Sequence, residues 1–167
     1  IMISGDYPDI RLLLIGDSSD REKLKEVLDL IRGKQCADRI VFTGLLGREE
    51  TYTKLSSAYC LALSRPDNTQ AKYGFPNKLG EYLATGRPVV ITSVGDIPLY
   101  LTDGVNAYIS MPDSVSSFAS KLRDCLDDCS KAAEIGFKGR DLTKTTFNYY
   151  QTVKRELYDP YICCESI

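Results

Sequence analysis

Short apolar runs alternate with longer stretches of helical periodicity along this chain. RLLLI, residues 11–15, ends in Gly16-Asp17 and predicts a buried strand with a loop at its C-terminal end. Leu24, Val27, Leu28 and Ile31 recur at helical spacing. They predict a helix over 20–32, with Ser18 or Ser19 as its cap and Gly33 as its stop. RIVFTG (39–44) predicts a second strand, and 48–59 a helix with Tyr52, Leu55 and Tyr59 on one side. CLALS (60–64) predicts a third strand, followed by a polar loop, RPDNTQAKYG (65–74), in which Asp67-Asn68 are turn residues. A helix over 76–85 leads at once into a strand, PVVITS, over 88–93. A loop with Gly95 and Asp96 leads to a short apolar segment at 97–101, which Asp96 is placed to cap. A strand-like run over 106–110 and helices near 114–128, 130–140 and 144–157 close the chain.

The predicted strands are apolar throughout rather than alternating. That pattern belongs to a parallel sheet covered by helices on both faces, an α/β fold. Ligands in such folds lie in the crevice beyond the C-terminal ends of the strands. Those ends here are Gly16-Asp17, Gly44-Leu45, Ser64-Arg65 and the loop after Ser93.

Composition narrows the function. The 167 residues suffice for one domain with a core, and a net charge of -2 gives no general attraction to nucleic acid or anionic membrane. The basic residues are dispersed and the aromatic ones form no RNA-binding arrangement, so no nucleic-acid partner is expected. No apolar run approaches a membrane span, and IMISGDYPDI lacks the features of a signal peptide. The chain opens on Ile1 rather than Met, which leaves room for it to be a piece of a longer protein. Cys36, Cys60, Cys125, Cys129, Cys163 and Cys164 contain no CxxC pair, so reduced thiols in a cytoplasmic protein are expected, with no metal site. Cys125 and Cys129 fall at i,i+4 on one predicted helix face. The absence of His removes Ser-His and Cys-His nucleophilic chemistry from this chain.

YGFPNKLGEYLATGRPVV, residues 73–90, carries the most specific chemistry. Pro76 fits a first helical position, and Gly86 with Pro88 stops the helix. Leu79, Tyr82 and Leu83 form one apolar side; Gly80 and Ala84 form a second, small-residue side. Lys78, Glu81 and Thr85 occupy the narrow strip between two sides that both read as buried, which turns Glu81 toward a crevice. One reading is a surface i,i+3 pair of Lys78 with Glu81, contributing about 0.3 kcal/mol. The other is a phosphate-binding helix N-terminus, shaped by Gly74 and Pro76 and reinforced by Lys78, with Glu81 gripping sugar hydroxyls.

GFPNKLGEYLATGRPVVITSVGDIPLYLTDGVNAYI resembles the signature region of family 4 of the nucleotide-sugar-dependent glycosyltransferases, which have the GT-B fold. DIRLLLIGDSSDREKLKEVL and ADRIVFTGLLGREETYTKLSSAYCLALSRPD are similar to the preceding strands and helices of that family, so the likeness is collinear from about residue 8 to about residue 130. It implies a three-layer α/β/α Rossmann-like domain with a mostly parallel sheet, the C-terminal half of a GT-B fold, spanning 1–167 with a C-terminal helix and tail over 144–167. The domain's first strand and the N-terminal acceptor domain would lie outside it.

The resemblance also implies a transferase that uses a nucleotide-sugar donor, with retention and without a metal or other cofactor, and a fragment that is inactive alone. Glu81 matches the glutamate that holds the donor's ribose. Gly74, Phe75 and Pro76 match the segment near the diphosphate and transferred sugar, and Asn77-Lys78 the "PNK" subgroup. Gly16 and Asp17, and Gly44 and Leu45, match positions near the diphosphate and the base. No catalytic residue is assigned, since the usual catalytic His belongs to the other half. Many relatives of this subgroup act in bacterial capsule or lipopolysaccharide synthesis, and membrane association would run through the missing half.

The sequence departs from the family at Tyr73, where a second glutamate is usual, and at Ala107, where Gly is usual. Tyr73 favours a rival reading, a non-catalytic module derived from such a transferase. A receiver-like or flavodoxin-like module is a further rival, disfavoured because Asp17 has no neighbouring acidic partner. Asp96 has a sugar contact as its alternative to capping. Phe147, Tyr149, Tyr150 and Tyr158 read as core or inter-domain packing.

Overall fold

Apolar runs and amphipathic stretches fold as strands and helices in the predicted order. A computed structural model describes residues 2–17 and 21–148. They divide into two compact units, with the division after Lys54.

In the first unit β1 (Leu12–Ile15) leads through α1 (Arg21–Ile31) and a 3-10 turn at Ala37–Arg39 into β2 (Ile40–Gly44). β1 and β2 pair in parallel, Leu12 opposite Ile40 and Ile15 opposite Gly44, with a slip in register before Ile15. The Arg39 guanidinium donates to the carbonyls of Ser4, Tyr7 and Pro8 at 3.0, 2.8 and 2.7 Å, tying the first turns to β2. The expected burial of β1 is corrected: Leu12 and Leu13 are 47% and 40% exposed, and Val27 and Leu28 of α1 are exposed as well. A two-stranded sheet with one helix has too little surface to enclose its own apolar side chains. Ser18 and Ser19, the expected caps, lie outside the described residues.

The chain passes from one unit to the next within α2 (Arg48–Ser57). This helix is shorter than predicted, and of its expected apolar side only Leu55 is buried, while Tyr52 is exposed and Tyr59 lies beyond its end.

The second unit holds β3 (Leu61–Leu63), α3 (Thr69–Tyr73), α4 (Asn77–Ala84), β4 (Val89–Thr92), α5 (Ile97–Tyr100), β5 (Tyr108–Ser110), α6 (Val115–Asp127) and α7 (Cys129–Lys144). Its three strands are parallel in the order β3-β4-β5, with Leu61 opposite Val89 and Val90 opposite Tyr108. β4 is central and all four of its residues are buried, as a strand covered on both faces must be. Leu79 and Leu83 of α4 are fully buried, and Val90, Tyr108, Cys125, Ala132 and Ile135 join the sheet to α6 and α7.

α7 also presses on the turn between α4 and β4. Gly86 ends the turn after α4 with a left-handed φ of 75°. A Cβ on Gly136 would lie 2.4 Å from the Gly86 carbonyl oxygen and 2.8 Å from the Pro88 nitrogen, so only a residue without a side chain permits this contact.

Three other expectations change. The polar loop over 65–74 contains α3, because the Asn68 side chain caps it by accepting from the Ala71 amide at 2.8 Å. Cys125 and Cys129 do not share a helix face, because Asp128 breaks the run and caps α7 by accepting from the Lys131 amide. The helix expected near 130–140 extends at both ends as α7 to Lys144, and residues 145–147, expected within the last helix, form a turn. Tyr149, Tyr150, Tyr158, Cys163, Cys164 and most of the expected last helix lie outside the described residues. Cys36, Cys60, Cys125 and Cys129 are free thiols.

Two glycines of similar sequence context should respond with opposite sign. Gly136→Ala should destabilise the protein by about 3 kcal/mol, because backbone must move to admit the methyl group. Gly80→Ala should stabilise it by about 0.5–1 kcal/mol, because a Cβ there meets no atom within 4 Å and helix propensity alone acts. Urea unfolding of the two variants against the parent measures both.

The Tyr108 hydroxyl is buried without a hydrogen-bond partner among the described residues, and burial pushes its pKa up to about 12. A group whose pKa rises on folding contributes stability below its unfolded value near 10, and that stability is lost as pH climbs toward 12. Tyr108→Phe should therefore leave stability at pH 7 unchanged or higher and flatten its decline above pH 10. A fall in stability at pH 7 on removing the hydroxyl would contradict the unpaired state.

Candidate functional site

α4 enters β4 directly through Gly86 and Pro88, so its C-terminus lies where β4 begins. An eight-residue helix rises about 12 Å, close to the length of a four-residue strand. The N-terminus of α4 therefore reaches the edge at which the parallel strands end. Pro76 is the residue before the helix rather than its first member, with φ −75° and ψ 108°, and it provides no side-chain cap.

Two neighbouring segments hold the loop that precedes α4. The Thr92 hydroxyl, buried at the end of β4, accepts from the Arg65 amide and donates to the Arg65 carbonyl, both at 2.9 Å. The Arg65 guanidinium donates to the Gly74 carbonyl at 2.6 Å. Arg65 thus runs from the sheet to the loop. On the other side the turn at Gly95 lies against the end of α3: a Cβ there would meet the Lys72 and Ala71 carbonyl oxygens at 2.7 and 2.9 Å. Lys72 pairs with Asp67 at 3.2 Å across α3's first turn, and both are largely exposed. Asp96 occupies the cap position of α5, but its side chain makes no capping hydrogen bond; the Leu99 amide bonds to its backbone carbonyl instead.

The predicted side chains in this unit gather around that loop. Phe75 is in ring contact with Tyr100 of α5 at 5.6 Å and with Phe147 at 5.5 Å, so Phe147 packs in a half-exposed aromatic cluster rather than in the core. Tyr73 is 89% exposed at the end of α3. Asn77, Lys78 and Glu81 are exposed along α4, while Gly74 and Pro76 are half-buried.

The two-sided burial expected of α4 is corrected. Leu79 and Leu83 are buried, but Ala84 is exposed and Gly80 has open space beside it. Glu81 accordingly faces outward rather than lying in a strip between packed walls. Among the described residues Lys78 and Glu81 make no ion pair with each other, so the surface-pair reading lacks its contact. Burial, followed by the charge of Glu81, raises the pKa of the Tyr82 hydroxyl above its usual value.

In the first unit the structure brings Gly16 and Gly44 together at the ends of β1 and β2. The Gly16 amide donates to the Gly44 carbonyl at 3.0 Å, and both residues have positive φ, 126° and 68°. Asp17 and Leu45 beyond them are exposed.

Sequence reading missed Arg65 and Thr92 as supports of the loop. The signal available was small: Thr92 is a polar residue closing the otherwise apolar VVIT, and Arg65 immediately follows a predicted strand end. Among the described residues no group of three or more Cys, Asp or Glu is arranged to hold a metal ion, and no helix is long and apolar enough to cross a membrane.

Residues 2–128 match the family described as "Glycosyl transferases group 1". The chain belongs to that family. It is 25% identical over 147 residues to the N-acetyl-alpha-D-glucosaminyl L-malate synthase of Bacillus anthracis, covering 88% of this chain and 36% of the relative. The chain thus spans about a third of the length of that curated relative. Its fold is that of the C-terminal domain of the glycosyl transferase group 1 protein LpcC from Francisella tularensis, with TM-score 0.75, 23% identity, and 89% of this chain and 75% of that one covered. Anabaena Alr3699/HepE, solved in complex with UDP-glucose, matches with TM-score 0.72 and 21% identity over 82% of this chain and 36% of that one. The α/β fold with parallel strands is therefore the Rossmann-like C-terminal fold of the GT-B glycosyltransferases.

Thr92→Val keeps the shape of the side chain but leaves the Arg65 amide and carbonyl without their partner. It should cost about 1–3 kcal/mol of stability, read by urea unfolding. Thr92→Ser, which keeps the hydroxyl, should cost less.

Proposed function

We propose that this chain is the donor-binding domain of a glycosyltransferase and that the N-terminus of α4 grips the diphosphate of a nucleotide-sugar. One observation carries the reading: α4 starts without a side-chain cap at the edge where the strands end, in a chain of the glycosyl transferase group 1 family. Asn68, Ser114 and Asp128 cap α3, α6 and α7 with their side chains, whereas Pro76 offers no side-chain acceptor, and among the described residues its carbonyl takes only the Leu79 amide. The remaining amides of α4's first turn and the positive end of the helix dipole favour an anion. Lys78 in the first turn adds a full charge, and Glu81 one turn on presents two carboxylate oxygens to a vicinal diol, the donor's ribose. Tyr73, Gly74, Phe75, Pro76 and Asn77 shape the approach.

The finer assignments are parts of the same proposal. The group transferred is a hexosyl or related one, with retention, without a metal, and in the cytoplasm. The developing charge on the leaving diphosphate is stabilised by the helix N-terminus and by basic side chains. The acceptor site and any membrane association belong to a partner domain of a longer chain, so residues 1–167 alone are inactive. Bacterial capsule or lipopolysaccharide synthesis is the proposed setting. Gly16-Asp17 and Gly44-Leu45 are proposed as further donor contacts of the first unit, each testable by substitution on its own.

Tyr73 supports a second reading, a non-catalytic nucleotide-binding or interaction module. An activity assay of the full-length protein separates the two, since the second reading requires binding without turnover.

For the donor reading, a thermal-shift and titration panel of UDP, GDP, ADP and CDP on the full-length protein should find one nucleotide that binds. UDP is the first probe, because Alr3699/HepE is complexed with UDP-glucose and with UDP. Glu81→Ala should weaken that binding about tenfold or more, through loss of charged hydrogen bonds. If no nucleoside diphosphate binds at millimolar concentration, the donor reading fails.

A further inference from the structure

α7 and the turn that follows it reach the two ends of α4. Its Gly136 lies against the Gly86–Pro88 turn at the C-terminus of α4, and a Cβ on Gly139 would meet the Leu83 side chain at 2.9 Å. Beyond α7's last turn, Phe147 meets the loop at α4's other end. Its ring lies 5.5 Å from Phe75 and 5.2 Å from Tyr100, while Phe75 and Tyr100 lie 5.6 Å apart nearly edge-on. Three segments far apart in sequence thus close a triangle of rings. The Phe147 amide donates to the Leu142 carbonyl at 2.9 Å, which ties this position to the end of α7.

The backbone of residues 74–76 is short of other ties. The Gly74 carbonyl is held by Arg65, and the Pro76 carbonyl accepts from the Leu79 amide, the first bond of α4. Pro76 has no amide hydrogen to donate. The Gly74 backbone also lies against the Gln70 carbonyl, and the Phe75 side chain, 41% exposed, is held by Phe147 and Tyr100.

We propose that Phe147 is a positioning residue for donor binding: it pins Phe75, and through Phe75 it sets the loop that aims the first amides of α4. The aromatic triangle thereby makes the segment following α7 part of the donor site's support, at a position outside the family match over residues 2–128. The inference rests on the donor reading given above for its consequence in binding, but not for its effect on the loop.

Two measurements on the full-length protein separate these. Hydrogen exchange of the Leu79 amide, which is bonded to the Pro76 carbonyl, should speed up about tenfold in Phe147→Ala, the scale expected for losing two aromatic contacts, while exchange in β4 stays unchanged. Nucleoside diphosphate affinity should fall about tenfold in parallel. Phe147→Tyr, which keeps the ring, should restore both to within about twofold of the parent. Unchanged exchange at the Leu79 amide overturns the positioning role. Equal acceleration in β4 overturns it too, since Phe147 would then act on global stability. Faster loop exchange with unaltered affinity overturns the link to binding. A parent protein that binds no nucleoside diphosphate sinks the donor reading instead, and the exchange result still decides the support of the loop.

Discussion

The backbone contact between α7 and the turn after α4 is the constraint from which the second unit is arranged. Gly136 lets α7 approach until its backbone meets the Gly86 carbonyl and the Pro88 nitrogen. That approach fixes where α4 stops and where β4 begins. β4 is the central strand, so β3 and β5 take their register from it. Protein interiors are close-packed, so a displaced backbone at that turn would be passed on to the sheet. The same contact leaves Leu79 and Leu83 beneath α4 and turns Lys78 and Glu81 outward.

Given that frame, the candidate site is a matter of supports rather than of the exposed residues themselves. Thr92 at the end of β4 holds both backbone groups of Arg65, and Arg65 holds Gly74. The Gly95 turn backs α3, which Asn68 caps. The aromatic rings hold the loop from the side. A binding loop needs such fixed backing, because an anion gains from preorganised amides only when ordering them costs little at the moment of binding. The exposed residues, Lys78 and Glu81 above all, contribute charge whose direction this backing decides.

Membership of the glycosyl transferase group 1 family rests on 2–128, which takes in the first unit and the second as far as the end of α6. α7 and Phe147 fall beyond that match, yet they set the position of the matched helix α4. Support for a site can therefore lie outside the segment by which the family is recognised. Packing demands only a small residue or a ring at a given place, which different sequences can satisfy.

How much of the fold could be read from the residues follows from the range of the forces involved. Every strand core, the stop at Gly86, and the order of strands and helices were legible, because apolar runs, glycine and proline act on their own neighbourhood. α3 was missed because its five residues carry no periodicity and depend on one capping bond from Asn68. The break between the helices expected near 114–128 and 130–140 was legible, and the Asp128 cap fixes where it falls, between α6 and α7. The positions of the site residues along α4 were legible, but the walls expected around Glu81 were not there, since burial belongs to whatever packs alongside and not to the helix. By itself the sequence determined the element order, the parallel α/β class, and the placing of Lys78 and Glu81 one helical turn apart. Only the tertiary structure decided that Gly136 and Phe147 support the two ends of that helix, because contacts between residues far apart in the chain leave no local pattern to read.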